Sequence, residues 1–318
     1  MDISILLWFQ TIRQALGPVF ETIVSILSDT LAYSVAVVPF ICYWCTDKQA
    51  GKRIIYSLSI SMYLNQLLKV AFCIYRPWIR DSRIQPAQAA LSSATGYSFP
   101  SGHTMTAASV YGSMALLFKD RYRKLSWLCL VLLLLTALSR VVLGVHTPQD
   151  VLVGIIASFF SIRIGFFLAD GPKSDSRRTL YMIAAGVILS AFGIWFALTR
   201  NYPTAIVDGE PLVDPTAMIR DAMMHIGVFA GTFAGGLLEE HTLRFSTEGT
   251  RKEKILRLLG GAVGIAFFAL FNHILPVGGL PYALVAFARG ALAALFAIYL
   301  YPLLFTFYRK KKTGQSNV

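Results

Sequence analysis

The chain has 318 residues, of which 55% are hydrophobic and only 14% are charged, and its mean hydropathy is +0.59. A soluble domain usually carries about a quarter charged residues, so the composition excludes an ordinary soluble enzyme and favours a polytopic membrane protein. The net charge of +12 would suggest nucleic-acid binding in a soluble protein, but here the basic residues lie in short loops between apolar runs, where the positive-inside rule accounts for them.

Residues 1–29 are predicted to form a separate amphipathic segment at the membrane interface. Apolar side chains such as Trp8 and Phe9 lie on one predicted helix face, and Arg13 lies on the opposite face. The dipeptide Gly17-Pro18 is expected to break this helix.

The rest of the chain is predicted to be an all-α membrane helix bundle. We expect a catalytic membrane core over residues 30–198 and about three additional transmembrane helices over residues 199–318. The predicted spans are 30–46, 53–74, 101–118, 124–145, 148–169, 179–198, 216–238, 255–275 and 281–306.

The loops alternate in charge, which predicts their sides of the membrane. Every other loop and the C-terminal tail are rich in lysine and arginine, and these are expected to be cytoplasmic. Loop 75–100 should face outward, yet it carries Arg76, Arg80 and Arg83. This positive charge on the wrong side of the membrane needs another explanation.

Ionisable and polar groups recur at the outward ends of three predicted spans. Charged groups inside a membrane are energetically costly, so each is a functional candidate by default. Their location at one face of the membrane follows from the alternating topology alone. The residues are Lys69 with Arg76, Ser101-Gly102-His103, and Arg140 with His146 and Asp150.

Each of these places also has a purely structural interpretation. Lys69 could extend its amine to the lipid headgroups. Ser101 could serve only as a helix N-cap. Thr147-Pro148-Gln149-Asp150 makes a good helix opening, with Thr147 as N-cap and an acid in the first turn. Together, however, these interpretations require several independent coincidences on one membrane face.

The combined set is suited to binding an oxyanion such as phosphate. Lys69, Arg76 and Arg140 supply positive charge, and arginines can contact phosphate through two N–H groups at once. Ser101 adds a hydroxyl group, and Gly102 at a helix start permits close approach of the backbone N–H groups. A phosphate site would also explain the misplaced charge of loop 75–100.

Two histidines beside a bound phosphate predict phosphoryl transfer. Because Asp150 follows His146 by about one helical turn, we assign His146 as the nucleophile, Asp150 as its orienting carboxylate and His103 as the general acid. We expect no metal and no cofactor, since the cations already neutralise the developing charge and no carboxylate cluster suits magnesium.

Lys69-(six residues)-Arg76-Pro77, Pro100-Ser101-Gly102-His103 and Ser139-Arg140-(five residues)-His146-(three residues)-Asp150 resemble the three signature motifs of the type 2 phosphatidic acid phosphatase (PAP2) superfamily. The resemblance covers about residues 50–170. It implies a six-helix membrane core and metal-independent removal of phosphate through a phosphohistidine. It also implies the residue roles given above.

We therefore expect a multi-pass phosphatase of a bacterial plasma membrane, with its active site facing outward. Its substrate would be an amphiphilic lipid that carries a phosphate monoester or a diphosphate, and we expect membrane lipids but no nucleic acid as partners. The alternatives are a lipid phosphotransferase and a lipid transporter or flippase with a PAP2-like fold.

The glycine stripe Gly227, Gly231 and Gly235 favours close packing of helices within the bundle. A homodimer face and a lipid passage are the alternative interpretations of this stripe.

Overall fold

The computed structural model describes residues 2–33, 37–171, 176–203, 205–207, 210–270 and 279–313. Within these ranges the chain is an all-α helix bundle, and the strands described are β1 (Ile206–Val207) and β2 (Glu210–Pro211). The helices are α1 (Asp2–Tyr33), α2 (Val38–Ile41), α3 (Lys48–Phe72), α4 (Pro77–Arg80), α5 (Gly102–Phe118), α6 (Arg123–Val142), α7 (Pro148–Asp170), α8 (Ser176–Thr199), α9 (Pro215–Leu238), α10 (Arg251–Leu270), α11 (Gly279–Leu295) and α12 (Tyr301–Thr313).

The helices are long and apolar, as the hydropathy predicts. In the described part of the chain, seven stretches are long and apolar enough to cross a membrane, which confirms an integral multi-pass protein. They are Asp2–Thr46, Lys48–Arg80, Arg123–Val142, Pro148–Asp170, Ser176–Thr199, Pro215–Leu243 and Leu280–Arg309. Of the nine predicted spans, 101–118 corresponds to α5, which has only 17 residues. The end of the predicted span 255–275 lies outside the described residues.

The N-terminal helix differs from the sequence prediction. Helix α1 kinks at Gly17 (φ 81°), as the Gly17-Pro18 dipeptide predicts, but it continues to Tyr33. The boundary proposed between residues 29 and 30 therefore falls inside a helix, and the predicted span 30–46 does not begin a new one. Because α1 packs against α5 and α6, it is part of the bundle around the site rather than a separate segment.

Helix α3 is the central element of the bundle, and it packs against α5, α7 and α9. Small side chains let these helices approach one another. The hydroxyl oxygens of Ser61 on α3 and Ser158 on α7 are 3.2 Å apart, and a side chain at Gly165 would collide with the backbone of Ser57. The end of α3 that precedes Arg76 is thereby held next to the first turns of α5 and α7.

Helices α9 and α11 form the closest pair in the C-terminal part. A Cβ atom added to Gly227 would lie 2.1 Å from the carbonyl oxygen of Phe287, and one at Gly231 would lie 2.2 Å from that of Ala291. Only glycine permits this approach. The tight-bundle interpretation of the glycine stripe is thus confirmed, and the surface considered for a homodimer is covered by α11 of the same chain.

The end of the bundle at the start of α3 carries a set of ion pairs that we call the paired cluster: Lys48, Lys52, Arg178, Glu239 and Glu240. Lys48 contacts Glu239 at 2.5 Å, Lys52 contacts Glu240, and Arg178 contacts Glu240 at 3.1 Å. Lys52 lies 17 residues before Lys69 on the same helix, which places the two about 25 Å apart along its axis.

Candidate active site

His146 lies in the short loop between α6 and α7, where three polar side chains surround its ring. Arg76 Nη1 is 2.9 Å from His146 Nε2. On the other side of the ring, Nδ1 is 3.4 Å from Ser98 Oγ and 3.5 Å from Asp150 Oδ2. Ser98 also donates a hydrogen bond to Asp150 Oδ2 at 2.6 Å, so the serine and the carboxylate act on the same nitrogen.

These contacts fix the tautomer of His146. A guanidinium group can only donate hydrogen bonds, so His146 Nε2 must accept from Arg76 and carry no proton. The proton of the neutral ring is then on Nδ1, facing Ser98 and Asp150. Burial, followed by the charge of Arg76, lowers the pKa of His146 well below its ordinary value of 6.5. The ring is therefore neutral at physiological pH, and Nε2 holds a lone pair.

Asp150 has a structural role as well as its proximity to His146. Thr147 is the N-cap of α7, and Asp150 Oδ2 accepts a hydrogen bond from the backbone N–H of Thr147 at 2.8 Å, which completes a capping box. The helix-opening interpretation of this segment is confirmed. It does not compete with the functional one, because the same carboxylate oxygen faces His146 Nδ1.

Arg76 is held by backbone carbonyl groups. Its guanidinium donates to the carbonyl oxygens of Thr95, Gly96 and Val145 at 2.6, 3.0 and 3.0 Å. The loop before α5 and the loop before α7 therefore both close around this one side chain. The side chain is buried, with 3% of its surface exposed, so its position next to His146 is well fixed.

Lys69 does not extend to the headgroups. Its amine is buried and donates to the carbonyl oxygen of Tyr97 at 2.9 Å. An ammonium group has three donors, so one such bond leaves further hydrogen-bonding capacity at this position. The snorkelling interpretation of Lys69 is therefore wrong.

The first residues of α5 form the third part of the site. Ser101 is the N-cap, and its hydroxyl oxygen accepts from Thr104 Oγ1 at 2.9 Å and from the Thr104 backbone N–H at 3.4 Å. Gly102 and His103 follow in the first turn, where backbone N–H groups have no acceptor within the helix. The Ser101 N–H donates to the carbonyl oxygen of Asp150 at 3.1 Å, so the starts of α5 and α7 are joined.

Arg140, near the end of α6, is completely buried beside a carboxylate that the motifs did not identify. Its Nη1 is 3.1 Å from Ser28 Oγ and 3.5 Å from Asp29 Oδ1, and its Nη2 is 3.4 Å from Ser93 Oγ. Asp29 Oδ1 is also 2.9 Å from His103 Nε2. Arg140 Nε has no hydrogen-bond partner in the described part of the chain.

The structure thus brings together the residues that the sequence singled out. The backbone N–H of His146 donates to the Arg140 carbonyl at 3.3 Å, Arg76 contacts His146, and Asp29 bridges Arg140 to His103. Lys69, Arg76 and Arg140, which we call the cation cluster, lie at the same end of the bundle as both histidines.

Sequence reasoning missed Ser28, Asp29 and Ser98. Ser98 lies five residues before His103, inside the segment that carries the motif, and its hydroxyl was a detectable signal. Asp29 lies 74 residues from His103 in sequence, so only the docking of α1 shows their contact. Among the described residues, no group of three or more His, Cys, Asp or Glu side chains is arranged to hold a metal ion.

Comparison with known proteins places these motifs in a family. A family model described as "PAP2 superfamily" matches residues 50–170, a range that contains all eight predicted site residues, including both histidines. A second model, "PAP2 superfamily phosphatase, transmembrane extension", matches residues 223–313. Together the two matches cover most of the chain, and no solved structure gives a significant match.

Individual relatives carry phosphatase names. Phosphatidylglycerophosphatase B of Bacillus subtilis is 36% identical over 112 residues, which are 33% of this chain and 52% of the relative. Undecaprenyl-diphosphatase BcrC of the same organism is 27% identical over 151 residues, 46% of this chain and 72% of the relative. Human sphingosine-1-phosphate phosphatase 2 is 28% identical over 195 residues, 59% of this chain and 45% of the relative.

The alignment spans only about half the length of two of these relatives, phosphatidylglycerophosphatase B and the human enzyme. The three signature motifs, the convergence of their side chains at one end of the bundle and the two family matches nevertheless agree with one another. On this evidence the chain belongs to the PAP2 superfamily.

Proposed function

We propose that this protein is an integral membrane phosphatase that removes phosphate from a lipid phosphate monoester or diphosphate through a phosphohistidine at His146. The observation that carries the proposal is the contact of Arg76 Nη1 with His146 Nε2, which leaves a deprotonated ring nitrogen beside a buried guanidinium group. The relatives are named as a phosphatidylglycerophosphatase, an undecaprenyl-diphosphatase and a sphingosine-1-phosphate phosphatase. These names support a lipid phosphate or diphosphate as the substrate.

In the first step, His146 Nε2 attacks phosphorus, and the bond from phosphorus to the lipid oxygen breaks. Arg76 leaves Nε2 and donates to a phosphoryl oxygen, while Lys69 and Arg140 contribute further positive charge. Ser101 and the first N–H groups of α5 provide neutral donors to the same group. Protonated His103 gives its proton to the leaving oxygen, so the lipid departs as an alcohol or as a lipid monophosphate.

In the second step, water attacks the phosphohistidine. Neutral His103 takes a proton from that water, and the P–N bond breaks with return of the electron pair to His146 Nε2. Inorganic phosphate leaves, and both histidines regain their starting states. Asp150 and Ser98 hold the Nδ1 proton of His146 throughout, which keeps the lone pair on the nitrogen that reacts.

The site is proposed to face the outer side of the membrane and to work without a metal ion. Loop charge supports this orientation. The basic loops flank the opposite end of the bundle, which carries the paired cluster, and basic loops favour the cytoplasmic side. The cation cluster supports metal-free chemistry, because cations at the same end of the bundle as the nucleophile can stabilise the negative charge that develops on the phosphate oxygens. A substrate lipid would keep its chain in the bilayer and present its headgroup at this end.

The proposal is tested by measuring phosphate release from phosphatidate, sphingosine phosphate, a prenyl diphosphate and a soluble sugar phosphate. We expect the wild type to hydrolyse at least one lipid substrate and to remain active in EDTA, and His146→Ala to abolish release. Loss of activity in EDTA that magnesium restores would contradict the metal-free scheme. Transfer of labelled phosphate to another acceptor instead of water would identify a phosphotransferase, and lipid flipping by His146→Ala without any hydrolysis by the wild type would identify a transporter.

A further inference from the structure

The carboxylate of Asp29, on the N-terminal helix α1, lies between His103 and Arg140. Asp29 Oδ1 is 2.9 Å from His103 Nε2 and 3.5 Å from Arg140 Nη1. Tyr33, one turn further along α1, packs edge-on against the His103 ring with centroids 5.1 Å apart. The same helix face therefore contacts His103 through both a charged group and an aromatic ring.

The position of Asp29 is fixed by the docking of α1 on the bundle. Ser25 donates to the carbonyl oxygen of Ala89 at 3.0 Å, and Tyr111 of α5 donates to that of Leu31 at 3.2 Å. On the other side of the kink, Arg13 is buried and donates to the carbonyl oxygen of Val142 at 3.1 Å. These contacts hold α1 against the loops of the site both before and after Asp29.

The hydrogen-bonding chemistry assigns a role to this contact. A carboxylate only accepts hydrogen bonds, so His103 Nε2 carries a proton and donates it to Asp29. Nδ1 is then the nitrogen left to donate to the leaving oxygen. A general acid must be protonated before the reaction, and a carboxylate within hydrogen-bond distance stabilises the imidazolium form.

We propose that Asp29 is a positioning residue that orients His103, favours its protonated form and holds Arg140 in place. This inference rests on the proposed function, in which His103 is the general acid. It also makes α1, which lies outside the matched residues 50–170, a part of the active site.

The charged groups around His103 show why Asp29 matters for its protonation. Arg140 from α6 and Arg76 from the segment between α3 and α4 are cations that oppose a second positive charge on the ring. Asp29 from α1 is the carboxylate that opposes them, and Tyr33 beside it is neutral at physiological pH. Without Asp29 the imidazolium would face two guanidinium groups, and the described residues offer no other carboxylate in contact with the ring.

The test compares Asp29→Asn with Glu21→Gln, a matched change of charge on the same helix. Glu21 pairs with Arg13 at 2.7 Å and does not contact either histidine. For Asp29→Asn we expect kcat to fall by about 10- to 100-fold with KM changed less than about threefold, and the basic limb of the pH profile to move to lower pH. Asp29→Glu should restore part of kcat, and Glu21→Gln should leave kcat per folded molecule and the pH profile unchanged.

A second measurement does not depend on activity. The ring ¹⁵N signals of His103, identified by comparison with His103→Gln, are titrated in micelles for the wild type and both variants. We expect the midpoint of His103 to move down by about one pH unit in Asp29→Asn and to stay in place in Glu21→Gln.

Two results would overturn the inference. A higher kcat or a clearly lower KM in Asp29→Asn would show that the carboxylate occupies the anion site and keeps phosphate out. An unchanged His103 titration would show that Asp29 does not control its protonation. If the wild type released no phosphate from any substrate while the titration shifted as expected, the proposed function would fail and the contact between Asp29 and His103 would stand.

Discussion

The cation cluster and the paired cluster both contain lysine and arginine side chains, but these cations have different contacts in the two clusters. In the paired cluster, Lys48, Lys52 and Arg178 each contact a glutamate carboxylate. In the cation cluster, Lys69 contacts a backbone carbonyl oxygen, and Arg76 contacts carbonyl oxygens and the ring of His146. Arg140 is the member of this cluster that lies near a carboxylate, at 3.5 Å from Asp29. A carbonyl oxygen satisfies a hydrogen bond but does not neutralise a charge.

This difference separates a structural site from one that is prepared for a ligand. A buried charge is costly unless it is paired, so the glutamates of the paired cluster offset the burial of its cations. Neither Lys69 nor Arg76 has a carboxylate in direct contact in the described part of the chain, so their burial is costly to stability. An incoming phosphate would supply the missing negative charge.

The largest effect on activity is expected from Lys69→Met. This change replaces one cation of the cation cluster with an unbranched apolar side chain of similar length. Phosphate release should fall by about 10²- to 10³-fold, because one electrostatic contact to the transferring group is lost. The free energy of unfolding, measured by titration with sodium dodecyl sulfate in mixed micelles, should not decrease, because a buried unpaired charge has been removed. A large loss of stability would show that Lys69 is structural.

The opposite pattern is expected from Glu240→Gln in the paired cluster. This change leaves Lys52 and Arg178 without their carboxylate, and Lys52 is buried, with 4% of its surface exposed. The free energy of unfolding should fall by about 3–5 kcal/mol, while activity per folded molecule stays near the wild-type value. Loss of activity without loss of stability would contradict the contrast between the two clusters.

A smaller effect is expected where the C-terminal helices pack. In Gly231→Ala the new Cβ atom would lie 2.2 Å from the carbonyl oxygen of Ala291, so the backbone must shift to avoid a collision. Overpacking of this kind costs about 1–3 kcal/mol of unfolding free energy. The control is Gly112→Ala, where the new atom meets only the flexible end of Ile162 at 2.9 Å. Equal stability of the two variants would argue against the close α9–α11 pair.

The smallest expected effect is in the pH dependence. Because burial and Arg76 lower the pKa of His146 below 6.5, its ring stays neutral under mildly acidic conditions. The acid limb of kcat/KM that belongs to the nucleophile should therefore lie below pH 6.5. The lowered pKa also affects stability. Below about pH 6.5 this histidine binds a proton in the unfolded chain but stays unprotonated in the folded protein. The free energy of unfolding should therefore decrease as the pH falls below 6.5. An acid limb above pH 7 would contradict the assignment.

The motif residues could be predicted from the sequence because each lies where an apolar helix begins or ends. Arg76 follows the end of α3, Ser101 caps α5, and Asp150 lies in the first turn of α7. Charge and capping chemistry are local signals, so spacing alone was enough to find them. The alternation of loop charge then predicts that all of them lie at one end of the bundle.

The contribution of α1 to the site could not be predicted, because it depends on a tertiary contact rather than on a local signal. The Gly17-Pro18 break was visible, and the kink lies there. However, the contact between Asp29 and His103 depends on tertiary docking through side chains such as Arg13 and Ser25, which no local pattern encodes. The sequence also predicts that a separate segment ends at residue 29, whereas α1 continues to Tyr33.

The central claim is that His146, activated by Asp150 and placed beside the cation cluster, forms a covalent bond to phosphorus. It is tested most directly by mixing the protein with a ³²P-labelled lipid substrate, quenching within milliseconds under alkaline conditions that preserve phosphohistidine, and mapping the label by mass spectrometry. We expect the phosphoryl group on His146 of the wild type and none on His146→Ala. Full turnover with no covalent intermediate, or a label on His103, would contradict the account.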